Sequence, residues 1–472
     1  MAARCTRGCG NFGSAARGGL CSSCAGPAAP PPPLPPEIAA LHPDRAVALA
    51  IHRNRQADPR CVPVRTRADA SRDGRVGLLL DDEAGVMAAH AALGAAAFAE
   101  GLAAVAGGDA PPVAGAIATY GAAASANERP ERIIAAASLL RESGLAARCV
   151  ALRGRPASDE ELGRVHSGAH AAALRAISPA AAAAPPSPAA LVAAMRGCNY
   201  LFLNEFSADA ARFAAGAAVE AVGAVLAGAV ASAVCVVRPP GHHAERDCMM
   251  GFCVANNVAV AAAAALARGA ARVLVVDWDI HSGNGTASIF EGDPRVLVCS
   301  LHARDAYPWP AHPVEAHCAG AVGSGAGRGF TVNVAWGPGA VGDAVGDAEY
   351  AHAFDALLLP IARAFDPQLV LVSAGFDSAA GDEMGFSLTP AGYAALTQRL
   401  RTLAGGRVVV VLEGGYNVPA VARGLHACTA ALLGAVEEEE EGAAPAPPSA
   451  VGARCVRETA DALREFWPCL RG

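Results

Sequence analysis

RVLVVDWDIHSGNG, Arg272 to Gly285, runs from four apolar residues in a row, Val273 to Val276, into acids at 277 and 279 and a histidine at 281. A continuous rather than alternating run of valine and leucine is what a strand buried on both faces requires, and such strands belong to parallel sheets covered by helices. Six further runs have the same character: VGLLL from Val76, AVCVV from Ala233, RVLVCSL from Arg295, FTVNV from Phe330, LVLVS from Leu369 and RVVVVLE from Arg407. Alanine-rich helical stretches such as Ala208–Ala227 and Asn256–Ala267 separate several of them. The alternation predicts an α/β fold with a mostly parallel central sheet flanked by helices.

In open sheets of this kind ligands bind beyond the carboxyl ends of the strands. The segments that follow the runs are RPPGHH from Arg238, DWDIHSGNG from Asp277, SLHARD from Ser300, AGFDSAAGD from Ala374 and EGGYN from Glu413. Nearly all the chemically able residues of the body fall in these five places. Residues two apart on an extended strand end point the same way, so Asp279 and His281 can meet one cation, with Asp277 one step behind. Asp377 and Asp382 arrive from another strand end. Three Asp and His ligands with open positions left over suit a catalytic zinc. An aspartate after a strand also serves as a helix cap. Its coincidence with two adjacent histidines and a Gly-Gly-Tyr turn favours chemistry.

At 472 residues the chain can bury one large core and carry small appendages. Its apolar stretches, such as Ala211 to Ala233, are broken by Arg, Glu and Gly and give no membrane span. A net charge of −7 argues against a polyanion binder. All 37 basic residues are arginine, a compositional bias that needs no functional cause. Most of the 15 cysteines stand singly in apolar surroundings, as reduced core cysteines do. Five parts follow: a zinc finger over 1–26, a Pro-rich linker over 27–73, a catalytic domain over 74–434, an acidic and Pro-rich linker over 435–452 and a helix over 453–472. In the first part Cys5, Cys9, Cys21 and Cys24 form two close pairs, the spacing of a tetrahedral structural zinc. So short a segment has no core of its own, and metal would supply its folding energy. The first 36 residues lack Asp and Glu, which is also the composition of an organellar transit peptide. The arginines are dispersed and no basic cluster marks nuclear import, so nucleus and cytoplasm both stay open.

NERPERI, VHS, RPPGHHA, GFCVANNVAVAA, DWDIHSGNGT, SLH, VSAGFDSAAGD and LEGGYN occur in that order between Val76 and Gly434. Together they resemble the zinc-dependent histone deacetylase superfamily, class II and closest to class IIb. The resemblance implies the arginase-deacetylase fold and hydrolysis of the acetyl amide of acetyl-lysine on proteins, histone or non-histone. It implies Asp279, His281 and Asp382 as zinc ligands and His242 and His243 as the catalytic pair. Asp277 would orient His242, Asn284 would partner His243, and Tyr416 would face the scissile carbonyl. Gly251 and Phe252 would line an acyl-lysine tunnel opposite Trp309. Asp277, Asp279, His281, Ser300 and Leu301 would surround a structural potassium ion. Two adjacent imidazolium ions repel, so at most one of the pair carries charge in the resting site.

The chain also departs from that pattern. Ser282 stands where a second histidine is usual, a substitution beside the ligands that can loosen their order. Residues 91–125 look like an insertion near the site. Polyamine-selective relatives have a glutamate at the position of Met384, and the methionine suits an acyl-lysine tunnel better. The finger resembles the A20 type, which commonly binds ubiquitin, with Asn11 where an aromatic is usual. Acetylated proteins such as histones are the expected partners, with ubiquitin a further one and neither nucleic acid nor membrane. Two alternatives remain: an acetylpolyamine deacetylase, and a weakly active acyl-lysine binder recruited through a ubiquitin-binding finger.

Overall fold

All seven apolar runs form strands, and one short strand joins them that the sequence did not announce. In chain order they are β1 (Val76–Leu80), the unannounced β2 (Val150–Ala151), β3 (Ser232–Val236), β4 (Val273–Asp277), β5 (Val296–Ala303), β6 (Thr331–Trp336), β7 (Leu369–Ala374) and β8 (Val408–Leu412). The structure is a computed structural model that describes residues 75–80, 127–129, 131–178, 187–195, 198, 200–201, 203, 207–308, 314–337, 345–383, 385–435 and 446–471. Cys5, Cys9, Cys21 and Cys24, the linker 27–73, the insertion 91–125, Trp309 and Met384 lie outside them.

The strands make one sheet in the order β2-β1-β3-β8-β7-β4-β5-β6, parallel at every pairing. After β3 the chain skips two positions, lays down β4, β5 and β6, and only later fills the gap with β7 and β8. The carboxyl ends of β3, β8, β7 and β4 are therefore contiguous. Those four ends precede the His-His, Gly-Gly-Tyr, Asp377 and Asp-x-Asp-x-His segments. Topology alone gathers the chemistry at the centre of one sheet edge.

Side chains along each strand alternate between the two faces. On β4, Leu274 and Val276 join one core with Trp278, while Val273 and Val275 join the other. Helices that bear on the site are α1 (Glu131–Glu142), α2 (Ser207–Leu226), α3 (Asn257–Ala267), α4 (Asn284–Phe290), α5 (Val418–Leu432) and α6 (Ala450–Leu463). The alanine-rich faces of α2 and α3 cover one side of the sheet. Large rings, among them Trp336, Tyr350, Phe376 and Tyr393, fill the other together with α1 and α5. Leu371 has no exposed surface, and truncating such a residue to alanine costs about 2–5 kcal/mol.

Two caps show how local sequence sets the ends of these helices. Asn256 accepts from Ala259 N at 2.9 Å to start α3, and its amide donates to Ala244 O and Thr286 Oγ1, both at 3.1 Å. One residue thus ties the histidine loop to α3 and α4. Ser449 accepts from Gly452 N at 3.1 Å, so α6 begins at Ala450, ahead of the expected 453. Its Thr459 donates to Asn333 O at 2.8 Å, fastening the helix along β6. No helix among the described residues is long and apolar enough to cross a membrane.

Candidate active site

Strand β4 ends on Asp277, which is fully buried. Asp277 accepts the backbone N–H of Asp279 at 3.1 Å and meets His242 Nδ1 at 2.9 Å. Asp279 Oδ1 accepts the N–H of His281 at 2.9 Å, and its Oδ2 accepts the N–H of Gly414 at 2.9 Å. His281 Nδ1 lies 3.0 Å from both Asp279 Oδ1 and Asp377 Oδ2. Asp377 Oδ1 is held by the N–H of Ile280 at 2.9 Å. A Cβ on Gly414 would collide with Oδ2 of both Asp279 and Asp377, so this tight packing of carboxylates requires glycine there.

The ligand atoms of Asp279, His281 and Asp377 all lie within 4.8 Å of one another. The structure brings Asp377 to this pair, where the expected zinc set had Asp382. Asp382 is otherwise engaged: its Oδ2 accepts the N–H groups of Tyr416 and Asn417, each at 2.7 Å, and its Oδ1 accepts that of Glu383 at 2.7 Å. Its carboxylate holds the turn that presents Tyr416. Asp377 lies three residues past the end of β7, much as Asp279 lies two past the end of β4. Asp382 lies a full turn further on.

Burial pulls the His281 imidazole down, yet the hydrogen-bonding carboxylates of Asp279 and Asp377 raise it to about 10. Burial and the Asp279 charge push Asp377 up to about 7. Two carboxylates crowded on one imidazole are a site that wants a cation. The donor set fits the zinc that the sequence implies, since Asp and His are zinc ligands and three of them leave positions open. A second buried trio, His242, Cys253 and Glu413, is also close, but burial pushes its thiol well above the usual range, away from the thiolate that binds metal.

The two histidine rings lie close but tilted, with centroids 3.9 Å apart and planes 38° from parallel. His242 is anchored twice, by Asp277 at its ring and by Glu413 at its backbone N–H, 3.2 Å away. Burial opposes its charge, but Asp279 and Asp277 hold it well above the usual value. His243 Nδ1 lies 2.7 Å from Asn284 Oδ1, and the Asn284 amide donates to Glu245 Oε1 at 2.8 Å. With its amide nitrogen committed to a carboxylate, Asn284 offers His243 an acceptor. His243 Nδ1 therefore carries the hydrogen and Nε2 keeps its lone pair. Burial, then the neighbouring His242 and His281, hold His243 well below the usual value. Adjacent in sequence, the two rings are pushed in opposite directions, His242 toward the cation and His243 toward the neutral base.

Tyr416 is pushed well above the usual phenol range by burial, so it stays protonated and able to donate. Its turn rests on Arg132 of α1, whose Nε donates to Gly415 O at 2.5 Å and whose Nη2 donates to Glu413 O. The guanidinium carbon lies 5.6 Å from the Tyr416 ring centroid. Glu128 pairs with Arg132 at 3.2 Å and with Arg238 Nε at 2.9 Å. Arg132 lies in NERPERI, a segment whose sequence assigns it no role by itself. The available signal was an arginine in register with the buried Ala136 and Leu140, where a cation must find acceptors.

The mouth is aromatic. Phe252 has φ +66° and Tyr200 φ +53°, and Phe252 N–H donates to Tyr200 O at 2.8 Å. Tyr307 stands edge-on to His243 at 4.8 Å and to Tyr200 at 5.1 Å. Gly251, at φ +55°, has no room for a Cβ between the His243 ring and Tyr307. Tyr307, which no motif in the sequence marks, is thus the described wall against Gly251 and His243. Ser300 and Leu301, read as potassium ligands, are buried near the end of β5, where Ser300 is in register with Asp277.

Residues 126–432 match the family described as Histone deacetylase domain. The chain is 47% identical to human Polyamine deacetylase HDAC10 over 310 residues, 65% of this chain and 44% of that one. It is 41% identical to Histone deacetylase 15 of Arabidopsis thaliana over 348 residues, 73% of this chain and 59% of that one. Its structure matches the crystal structure of the HDA15 HD domain with a TM-score of 0.62 at 39% identity, covering 73% of this chain and 89% of that one. The chain belongs to the histone deacetylase family and has its arginase-deacetylase fold. The match takes in about half the length of the two curated relatives.

Proposed function

We infer that the chain is a zinc-dependent hydrolase that removes the acetyl group from acetyl-lysine in proteins. What carries the reading is an Asp279-His281-Asp377 donor set, both carboxylates buried, beside a neutral His243 with a bare Nε2 and a protonated Tyr416. When bound, zinc would acidify a water toward pKa ~7 and polarise the acyl carbonyl. His243 Nε2 takes the proton of the attacking water and later delivers it to the departing amine. His242, charged and fixed by Asp277, supplies a positive field without competing for that proton. Tyr416 donates to the oxygen that gains charge, and Arg132 holds the backbone of its turn in place. Phe252 and Tyr307 exclude water around the acyl chain.

Met384 in the sequence, where an acidic side chain would attract a second ammonium, favours a peptide over a polyamine. The likeness to a relative named as a polyamine deacetylase supports the second reading, a small acetylated polyamine. Measuring kcat/KM on an acetyl-lysine peptide and an acetylated polyamine side by side decides between them. The peptide is expected to be preferred, with Tyr416→Phe losing roughly 10²–10³ in kcat. Turnover of the polyamine alone would replace the first reading with the second.

A further inference from the structure

Behind the turn that carries His281 lies a closed ring of hydrogen bonds that the chemistry above does not use. Ser282 Oγ lies 3.1 Å from His317 Nδ1. His302 Nε2 donates to the backbone oxygen of His317 at 2.8 Å, and Ser300 Oγ lies 2.8 Å from His302 Nδ1. Gly283 N–H reaches Ser300 Oγ at 3.4 Å, which closes the ring back onto the turn. The backbone oxygen of His317 only accepts, so His302 Nε2 must carry a hydrogen and Nδ1 accepts from Ser300. That neutral tautomer agrees with burial pushing His302 down to about 4. Ser282, Ser300, His302 and His317 are all buried.

The ring joins three pieces of chain: the end of β5, the single turn Val314–His317 and the turn 281–283. The last of these lies between two functional groups. On one side is His281 of the donor set, and on the other is Asn284, which fixes the tautomer of His243. A serine has a short side chain, and Ser282 reaches the β5 network through the imidazole of His317. Movement of Ser282 would shift the donor set and the base together.

We propose that His317 is a positioning residue that, through Ser282, holds the metal-bearing turn in register with both the donor set and Asn284. This rests on the reading of the site as a zinc-dependent deacetylase. Side chains that orient ligands in this indirect way are typically worth 10–100-fold in metal affinity or activity.

The test uses the full zinc-loaded chain, chelator competition for zinc, and kcat and KM on an acetyl-lysine peptide. His317→Ala is expected to weaken zinc retention and kcat by about 10–100-fold while KM changes little. His317→Asn, which keeps a polar atom near the Nδ1 position, is expected to recover most of both. Ser282→Ala removes the other end of the bond, and the double variant should lose no more than either single one. Unchanged zinc retention in His317→Ala, equal defects in the Ala and Asn variants, or additive losses in the double variant would each overturn the proposal. Should the parent chain turn over no acetylated substrate, the functional reading fails, and zinc competition still decides the role of His317.

Discussion

The floor and the mouth of the site are built by different physics. The floor comprises Asp277, Asp279, His281, Asp377, His242 and His243, all on strand ends of the sheet or on the segments that directly follow them, with carboxylates pinned by backbone N–H groups. The mouth comprises Tyr200, Phe252 and Tyr307 on loops, two of them at positive φ, held by one backbone bond and by ring contacts. Strand ends are rigid because the sheet fixes them, so charges can be crowded there at a defined spacing. Loops adapt more readily, so the mouth is where substrate choice can change without dismantling the chemistry.

That contrast breaks if floor and mouth respond alike to substitution. His243→Ala should give the largest loss, about 10²–10⁴ in kcat, since it removes the group that moves the proton. Zinc content should be unchanged, because His243 is not in the donor set; loss of metal in this variant would join base and donor set into one unit.

The floor also leans on two neutral imidazoles outside the site, and pH should expose them. His166 and His170 stack at 4.1 Å, with His166 Nε2 accepting from Asn256 N–H at 3.0 Å and His170 Nε2 meeting Val254 O at 2.9 Å. Burial, followed by the neighbouring His170, drops His166 from 6.5 to about 3. The folded value is below the unfolded one, so the unfolded chain takes up protons first as pH falls. Stability is complete above pH 6.5 and declines toward pH 3, by about 1.4 kcal/mol per unit for this one ring. Thermal melts at pH 7 and pH 5 should show a fall in Tm that shrinks in His166→Gln. An equal fall in both would show that the acid sensitivity lies elsewhere.

The smallest effect belongs to the mouth. Tyr307→Leu should alter KM and the ranking of substrates several-fold while kcat on the best substrate stays near the parent value. A large fall in kcat with KM unchanged would move Tyr307 from mouth to floor.

How far these features could be read from sequence follows the same division. Continuous valine runs declare buried parallel strands, and seven of the eight strands carried that signal. Val150–Ala151, two exposed residues at the edge of the sheet, has too little periodicity to be seen. Histidines 242 and 243, Asp279, His281 and Tyr416 were legible because each sits in a polar cluster directly after such a run. The exchange of Asp377 for Asp382 has a physical cause: both lie in one segment, and spacing alone does not say which of them faces the cation. Closeness to the strand end was the usable clue, since the further aspartate falls where turn N–H groups need an acceptor. Tyr307 carried no signal, because its place is set by the fold of a loop and by what faces it, and linear spacing encodes neither.

Asp377 and Asp382 give the most direct test, through zinc content and turnover measured on Asp377→Asn and Asp382→Asn in parallel. Asp377→Asn is expected to lose zinc and activity together. Asp382→Asn is expected to keep its zinc and lose turnover through a misplaced Tyr416. Loss of zinc from Asp382→Asn with retention by Asp377→Asn would place Asp382, not Asp377, in the donor set.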